Sequence, residues 1–194
     1  STVIDLSPSD QFANGHVPRT LNIPTGMLAG WAGWVVDYSK PAYLIADPGQ
    51  LPEATRVLRK IGLDDVRGYF DVSRIREAGL ATERFLRRTP LELGQRIKSG
   101  EVTLIDVRSN AEWDAGHIPC AEHHFLGRLP DEVPSLHKAK PFVTQCQSSA
   151  RSAIAASILQ RAGVEVIDMS GGIAEWKEAG LPVSTEAEVI PCEA

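Results

Sequence analysis

Val3-Ile4-Asp5-Leu6, followed by Phe12-Ala13-Asn14-Gly15-His16-Val17-Pro18, recurs as Leu104-Ile105-Asp106-Val107, followed by Trp113-Asp114-Ala115-Gly116-His117-Ile118-Pro119. The spacing is constant at 101 residues, as from Ile4 to Ile105, and it holds again at Gly26/Gly127, Gly62/Gly163 and Ala78-Gly79-Leu80/Ala179-Gly180-Leu181. Such a period is too long for a solenoid repeat and is the size of a small domain. The chain therefore reads as two copies of one fold, and the differences between the copies locate the chemistry. The second copy carries Cys146 five residues before Arg151, whereas the first has no cysteine.

The whole chain has 194 residues, 43% hydrophobic and 23% charged, which is ordinary for a globular protein and enough for two small cores. Its formal net charge of -5 argues against nucleic acid as a partner. No apolar run approaches the ~20 residues of a membrane-spanning helix, so no membrane partner is expected. The cysteines are Cys120, Cys146 and Cys192, with no C-x-x-C pair. That pattern argues against a disulfide framework and a zinc site, and it fits a reducing cytoplasm. His123-His124 and His137 show no metal-ligand spacing, so neither metal nor cofactor is expected.

In the second copy, short apolar runs at 102–107, 141–145 and 164–169 read as buried parallel strands. Helices are expected at 109–115 and 152–162, and from Gly171-Gly172 to 179, each stopped by a glycine. Thr89 and Pro90 open a further amphipathic helix that closes at Gly100. The first copy repeats the pattern with a strand at 42–45, a loop at 46–52 and a helix at 53–61. Strands alternating with helices make an α/β fold, each domain a small, mainly parallel sheet flanked by helices. The predicted domains are 1–82 and 89–185, joined by a short polar linker at 82–88. The first starts on its strand without a counterpart of the 89–100 helix, which marks it as N-terminally truncated, with something folded upstream.

Ligands of such sheets bind beyond the carboxyl ends of the strands, and Cys146 stands there. In Cys146-Gln147-Ser148-Ser149-Ala150-Arg151-Ser152, a tight loop at a helix N-terminus turns backbone N–H groups toward one point, an anion cradle. The helix dipole and Arg151 favour negative charge, hence the nucleophilic thiolate. Gln147, Ser148 and Ser149 offer further donors, and Ser148, Ser149 and Ala150 are small enough to keep the cradle open.

Over nearly its whole length the second copy resembles a rhodanese (sulfurtransferase) domain. The matching residues are Ile105-Asp106-Val107-Arg108, Glu112-Trp113, Gly116-His117-Ile118-Pro119, the loop from Cys146 to Arg151-Ser152, and Gly171-Gly172 with Trp176 and Ala179-Gly180-Leu181-Pro182-Val183. The resemblance implies that Cys146 carries a sulfane sulfur as a persulfide. It implies Arg151 as the electrostatic partner, Asp106 and Arg108 as supports beside the loop, and small sulfur donors and thiol or cyanide acceptors as partners. Dual-specificity phosphatases of the same fold have a loop one residue longer, with room for a phosphoryl group, so the spacing here favours sulfur. A phosphatase, an arsenate reductase, or a non-catalytic sulfur-binding or interaction module are the alternatives. Ser149 stands where the family often has Gly, and either distorts the cradle or carries the strain. Cys120 reads as a small hydrophobe rather than a second thiol, His117 as a structural residue, and Cys192 as incidental.

The first copy places Ile45 or Ala46 opposite Cys146, depending on the alignment, and carries Asp47, Pro48 and Pro52 in the matching loop. It resembles an inactive rhodanese domain. Trp31 and Trp34 have no equivalent in the second copy, and suit a partner surface if exposed or a core if buried. An inactive copy before an active one, together with Gly33-Trp34, 61–64 and Gly68-Tyr69, resembles the C-terminal part of fusion proteins. In those, a metallo-β-lactamase-fold domain related to persulfide dioxygenases precedes tandem rhodanese domains. The resemblance implies such a domain upstream.

Overall fold

The computed structural model describes residues 1–136 and 139–185; His137 and Cys192 lie outside the described residues. The chain divides into two compact units between Arg84 and Phe85. The first contains β1 (Thr2–Asp5), α1 (Ser9–Asn14), β2 (Leu21–Asn22), α2 (Leu28–Val35), β3 (Ala42–Ala46), α3 (Leu51–Lys60), β4 (Val66–Asp71) and α4 (Val72–Glu77). Its four strands are parallel, in the order β2-β1-β3-β4. The second contains β5 (Leu86–Arg88), α5 (Pro90–Lys98), β6 (Thr103–Asp106), α6 (Asn110–Asp114), β7 (Glu122–His123), α7 (Leu129–Glu132), β8 (Phe142–Gln145), α8 (Ala150–Arg161), β9 (Val166–Met169) and α9 (Gly172–Glu178). Its five parallel strands run β5-β9-β8-β6-β7.

Each unit is thus a parallel α/β sheet flanked by helices, and the strand order of the first repeats that of the second less β5. The linker expected at 82–88 is corrected by the sheet. Leu86–Arg88 form an edge strand, paired with Ile167–Met169 on β9, and belong to the second unit. Three residues rich in arginine show no strand pattern of their own, and it is the partner strand that fixes them.

Burial follows the chemistry of each element. β8 and β9 are buried at every position, as continuous apolar runs covered on both faces must be. α8 buries every residue from Ser152 to Leu159, which its alanines and serines allow by bringing the backbone close to the sheet. α5 starts on a capping box, in which Glu92 Oε2 accepts from the Thr89 N–H at 2.7 Å, and drives Leu93 and Ile97 into a core shared with Ile173 and Trp176 of α9.

His16 and His117 are structural in both units. The His117 ring stacks on Trp113 at 3.7 Å and its Nδ1–H donates to the Trp113 carbonyl; its backbone exchanges two bonds with Ser184. His16 stacks on Phe12 at 3.8 Å and donates in the same way to the Phe12 carbonyl. The tryptophans peculiar to the first unit divide: Trp34 is 58% exposed and Trp31 half-buried on α2, so neither of the simple alternatives describes the pair.

Candidate active site

β8 ends at Gln145 and α8 begins at Ala150, so residues 146–149 make the connection between them. Cys146 is buried, at 1% exposure, and is the free cysteine among the described residues. Cys120 is disulfide-bonded. It is therefore neither the simple hydrophobe expected nor a second thiol at the site.

The loop is shaped from behind by α9. The Ile173 N–H donates to the Cys146 carbonyl at 2.9 Å, and the Ala174 N–H to the Gln147 carbonyl at 3.2 Å. In a trans peptide the N–H of the next residue points opposite to the carbonyl, and there are no cis bonds here. The N–H groups of Gln147 and Ser148 are therefore turned away from α9. The first turn of the 12-residue α8 adds further N–H groups that have no partner within the helix.

Gly172 makes this clamp possible. Its φ is +57°, and a Cβ there would stand 2.2 Å from the Cys146 carbonyl oxygen. Any other residue would push α9 off the loop.

Ser149 carries the strain rather than distorting the loop. It adopts φ +75°, and its hydroxyl donates to the Met169 carbonyl at 2.9 Å. The bond offsets part of the roughly 1 kcal/mol cost of a left-handed non-glycine residue. Gln147, Ser148 and Ala150 are all exposed at the open side of the loop.

Arg151, expected as the electrostatic partner of Cys146, feels the Cys146 thiolate charge but gives its hydrogen bonds to Glu112. Its guanidinium is held by Glu112 through two bonds of 2.6 and 2.7 Å. Arg151 thereby holds the Glu112 carboxyl down at about 2, with Ser109 helping. Glu112 in turn keeps Arg151 above the usual guanidinium range. The pair straps α8 to α6. Asp106 and Arg108 make a second pair, fully buried, with Arg108 also donating to the Gly116 carbonyl at 2.9 Å. Asp106 stands opposite Gln145 in the sheet, so the pair lies beside the strand that delivers Cys146.

Ser152 Oγ donates to Asp168 Oδ1 at 2.6 Å. The sequence alone singles out no site role for Asp168, and for Glu112 and Gly172 no contact with the loop or with Arg151. An aspartate inside the apolar run Val166-Ile167-Asp168-Met169 was the signal for the first. Burial pushes its carboxyl up to about 6, against the lowering effects of Ser152 and Arg87. Among the described residues no group of three or more His, Cys, Asp or Glu side chains could hold a metal ion, and no helix is long and apolar enough to cross a membrane.

Residues 89–179 match the family model described as the rhodanese-like domain. A putative sulfurtransferase of Bacillus subtilis is 35% identical over 91 residues, covering 46% of this chain and 88% of that protein. The chain belongs to the rhodanese-like family. An HTH-type transcriptional regulator of Mycobacterium tuberculosis is 39% identical over 103 residues, which are 52% of this chain and 46% of the regulator. The chain thus spans about half the length of some of the curated relatives it matches. The crystal structure of a thiosulfate sulfurtransferase from Pseudomonas aeruginosa superposes with a TM-score of 0.50 over 97% of this chain and 38% of that one, at 21% identity. At that identity the likeness concerns the fold.

Proposed function

We propose that the second unit of this rhodanese-like protein is a sulfurtransferase that carries sulfur on Cys146. The observation that carries the reading is the clamped loop: a free thiol at the carboxyl end of β8, with carbonyls tied back to α9 and amides left for an anion. The rhodanese-like family model matches the stretch that contains it, and sulfurtransferase-named relatives match 91 and 93 residues of the chain. In the first half-reaction the Cys146 thiolate attacks the outer sulfur of thiosulfate or of a low-molecular-weight persulfide. A new S–S bond forms, and sulfite or a thiolate leaves with the electron pair of the broken bond. The terminal persulfide sulfur then bears the charge and rests against the N–H groups of the loop. In the second half-reaction a thiol or cyanide takes that sulfur and returns the Cys146 thiolate, which makes the kinetics ping-pong.

The first unit, with no cysteine, is on this reading a non-catalytic copy of the same domain. Because Glu112 takes the hydrogen bonds of Arg151, Arg151 acts on the loop through its charge alone and the backbone dipoles supply the direct contacts, which suits the single charge of a persulfide.

Mass spectrometry of the intact protein after incubation with thiosulfate or glutathione persulfide tests the reading. The expected result is a gain of one sulfur, reversed by cyanide and absent in Cys146→Ser. No gain from either donor would overturn it and favour the phosphatase-like or interaction alternatives.

A further inference from the structure

Four contacts hold the Cys146 loop to the segment 168–174. Three involve backbone carbonyls: Met169 with Ser149, Cys146 with Ile173, and Gln147 with Ala174. The fourth is of a different kind. Asp168 is fully buried in the middle of the sheet, and one carboxylate oxygen accepts from Ser152 Oγ in the first turn of α8. The other accepts from Arg87 Nε at 2.9 Å, across the strand pair β5–β9. Arg87 is 29% exposed at the rim of the sheet. A partly exposed cation, a buried carboxylate and the hydroxyl that follows Arg151 therefore form one line from the sheet edge to the sulfur loop. A buried carboxylate costs several kcal/mol unless paired and hydrogen-bonded, so its place here requires both neighbours.

We propose that Arg87 and Asp168 are positioning residues for the Cys146 loop. Ionised Asp168, held by Arg87, fixes Ser152 and with it the first turn of α8, whose N–H groups face the reacting sulfur. The proposal rests on the sulfurtransferase reading for its consequence in turnover, and on geometry alone for its consequence in Cys146 reactivity. Ser152 from α8, Arg87 from β5 and Thr144 from β8 surround Asp168; Thr144 stands opposite it in register with a buried hydroxyl that has no hydrogen-bond partner. Arg87 is the charged group that acts on it among the described residues. Since burial raises the Asp168 carboxyl to about 6, the relay is intact at neutral pH and is lost as the carboxyl takes a proton on acidification. A neutral acid group no longer balances Arg87 and accepts only weakly from Ser152.

The test follows the rate at which iodoacetamide alkylates Cys146 as a function of pH, read by mass on the Cys146 peptide of the full chain, alongside sulfur loading from glutathione persulfide. Wild type should show an ionisation near pH 6 in addition to that of the thiol. Asp168→Asn should lack it, with loading slowed about tenfold at neutral pH in kcat rather than KM, the size of one lost charge-assisted bond. Arg87→Gln keeps the carboxylate but removes its cation, and should move the acidic limb to higher pH; Arg87→Lys should restore it in part. Should Asp168→Asn fail to fold, the two Arg87 variants carry the test alone. An alkylation profile unchanged by Arg87→Gln, or by a folded Asp168→Asn, overturns the proposal. A wild type whose alkylation profile shows the limb but which takes up no sulfur overturns the sulfurtransferase reading and leaves the positioning role standing.

Discussion

At the carboxyl end of β8 the second unit places Cys146, and at the carboxyl end of β3 the first unit places Ala46. The registers make them equivalents, since Thr2 pairs with Ala42 as Thr103 pairs with Phe142. The loops beyond these two positions differ in kind. After Ala46, Asp47 leads a short 3-10 turn, Pro48–Gln50, and the Gln50 side chain accepts from the Asp47 N–H and donates to Thr25 Oγ1, both at 2.9 Å. Side chains thus occupy the polar groups of that loop, and a carboxylate stands beside it.

The backing differs too. α4 opens on Asp71 and Val72, where α9 opens on Gly171 and Gly172, so the close approach that clamps the Cys146 carbonyl has no counterpart. β9 is flanked by β5 and β8 and wholly buried, whereas β4 pairs with β3 and leaves Tyr69 and Phe70 about half exposed, at 48% and 49%. On the proposed reading, an anion cradle in this fold needs more than a cysteine. It needs a loop of small residues, a glycine where the backing helix touches it, and a covered strand behind.

Giving Gly172 a side chain should have the largest effect. Gly172→Val puts a branched side chain at φ +57°, where a Cβ already meets the Cys146 carbonyl oxygen at 2.2 Å. We expect sulfur uptake to be lost at least ~100-fold and stability to fall by about 3 kcal/mol, read by intact mass and by urea unfolding. Uptake near the wild-type level would mean that the clamp does not make the difference between the copies.

Glu112→Gln should act more moderately. It should cost about 1 kcal/mol at neutral pH, since the pair is partly solvated. The Glu112 carboxyl is held down at about 2, so its contribution is fully present above its ordinary value near 4.5 and fades as pH falls toward 2. The difference in unfolding free energy between the variant and wild type should therefore close on acidification. At neutral pH the released guanidinium should lower the KM for thiosulfate, a dianion, several-fold. A difference that persists at pH 2, or an unchanged KM, would show that the pair does not set the charge at the loop.

The smallest effect is expected from Ala46→Cys. A thiol in the first unit, without the clamp, should leave sulfur uptake at one per chain when Cys146 is present and at none in Cys146→Ser. Uptake at position 46 would dissolve the contrast between the copies.

Much of this was legible in the residues. The repeat announced two units because apolar strand runs, glycine stops and the His-Pro turn recur at fixed spacing, and each reports a local backbone requirement. The loop from Cys146 to Ser152 was legible because a nucleophile, small residues and an arginine fall between a strand and a helix. For Arg151 the charge was visible and its hydrogen-bond partner was not: Glu112 is 39 residues distant in the chain and meets it only when α6 and α8 pack together. β5 was hidden in a polar stretch for the same reason, as its pairing with β9 supplies what three residues of weak strand propensity lack.

By itself the sequence determined the α/β alternation, the internal repeat at 101 residues and the position of the candidate nucleophile, since these depend on periodicity and side-chain type. Only the tertiary structure decided where the charges go. It paired Arg151 with Glu112, buried Asp168 between Arg87 and Ser152, and let Gly172 touch the Cys146 carbonyl. Hydrogen bonds and ion pairs act over about 3 Å, and residues far apart in the chain come that close only when their elements pack.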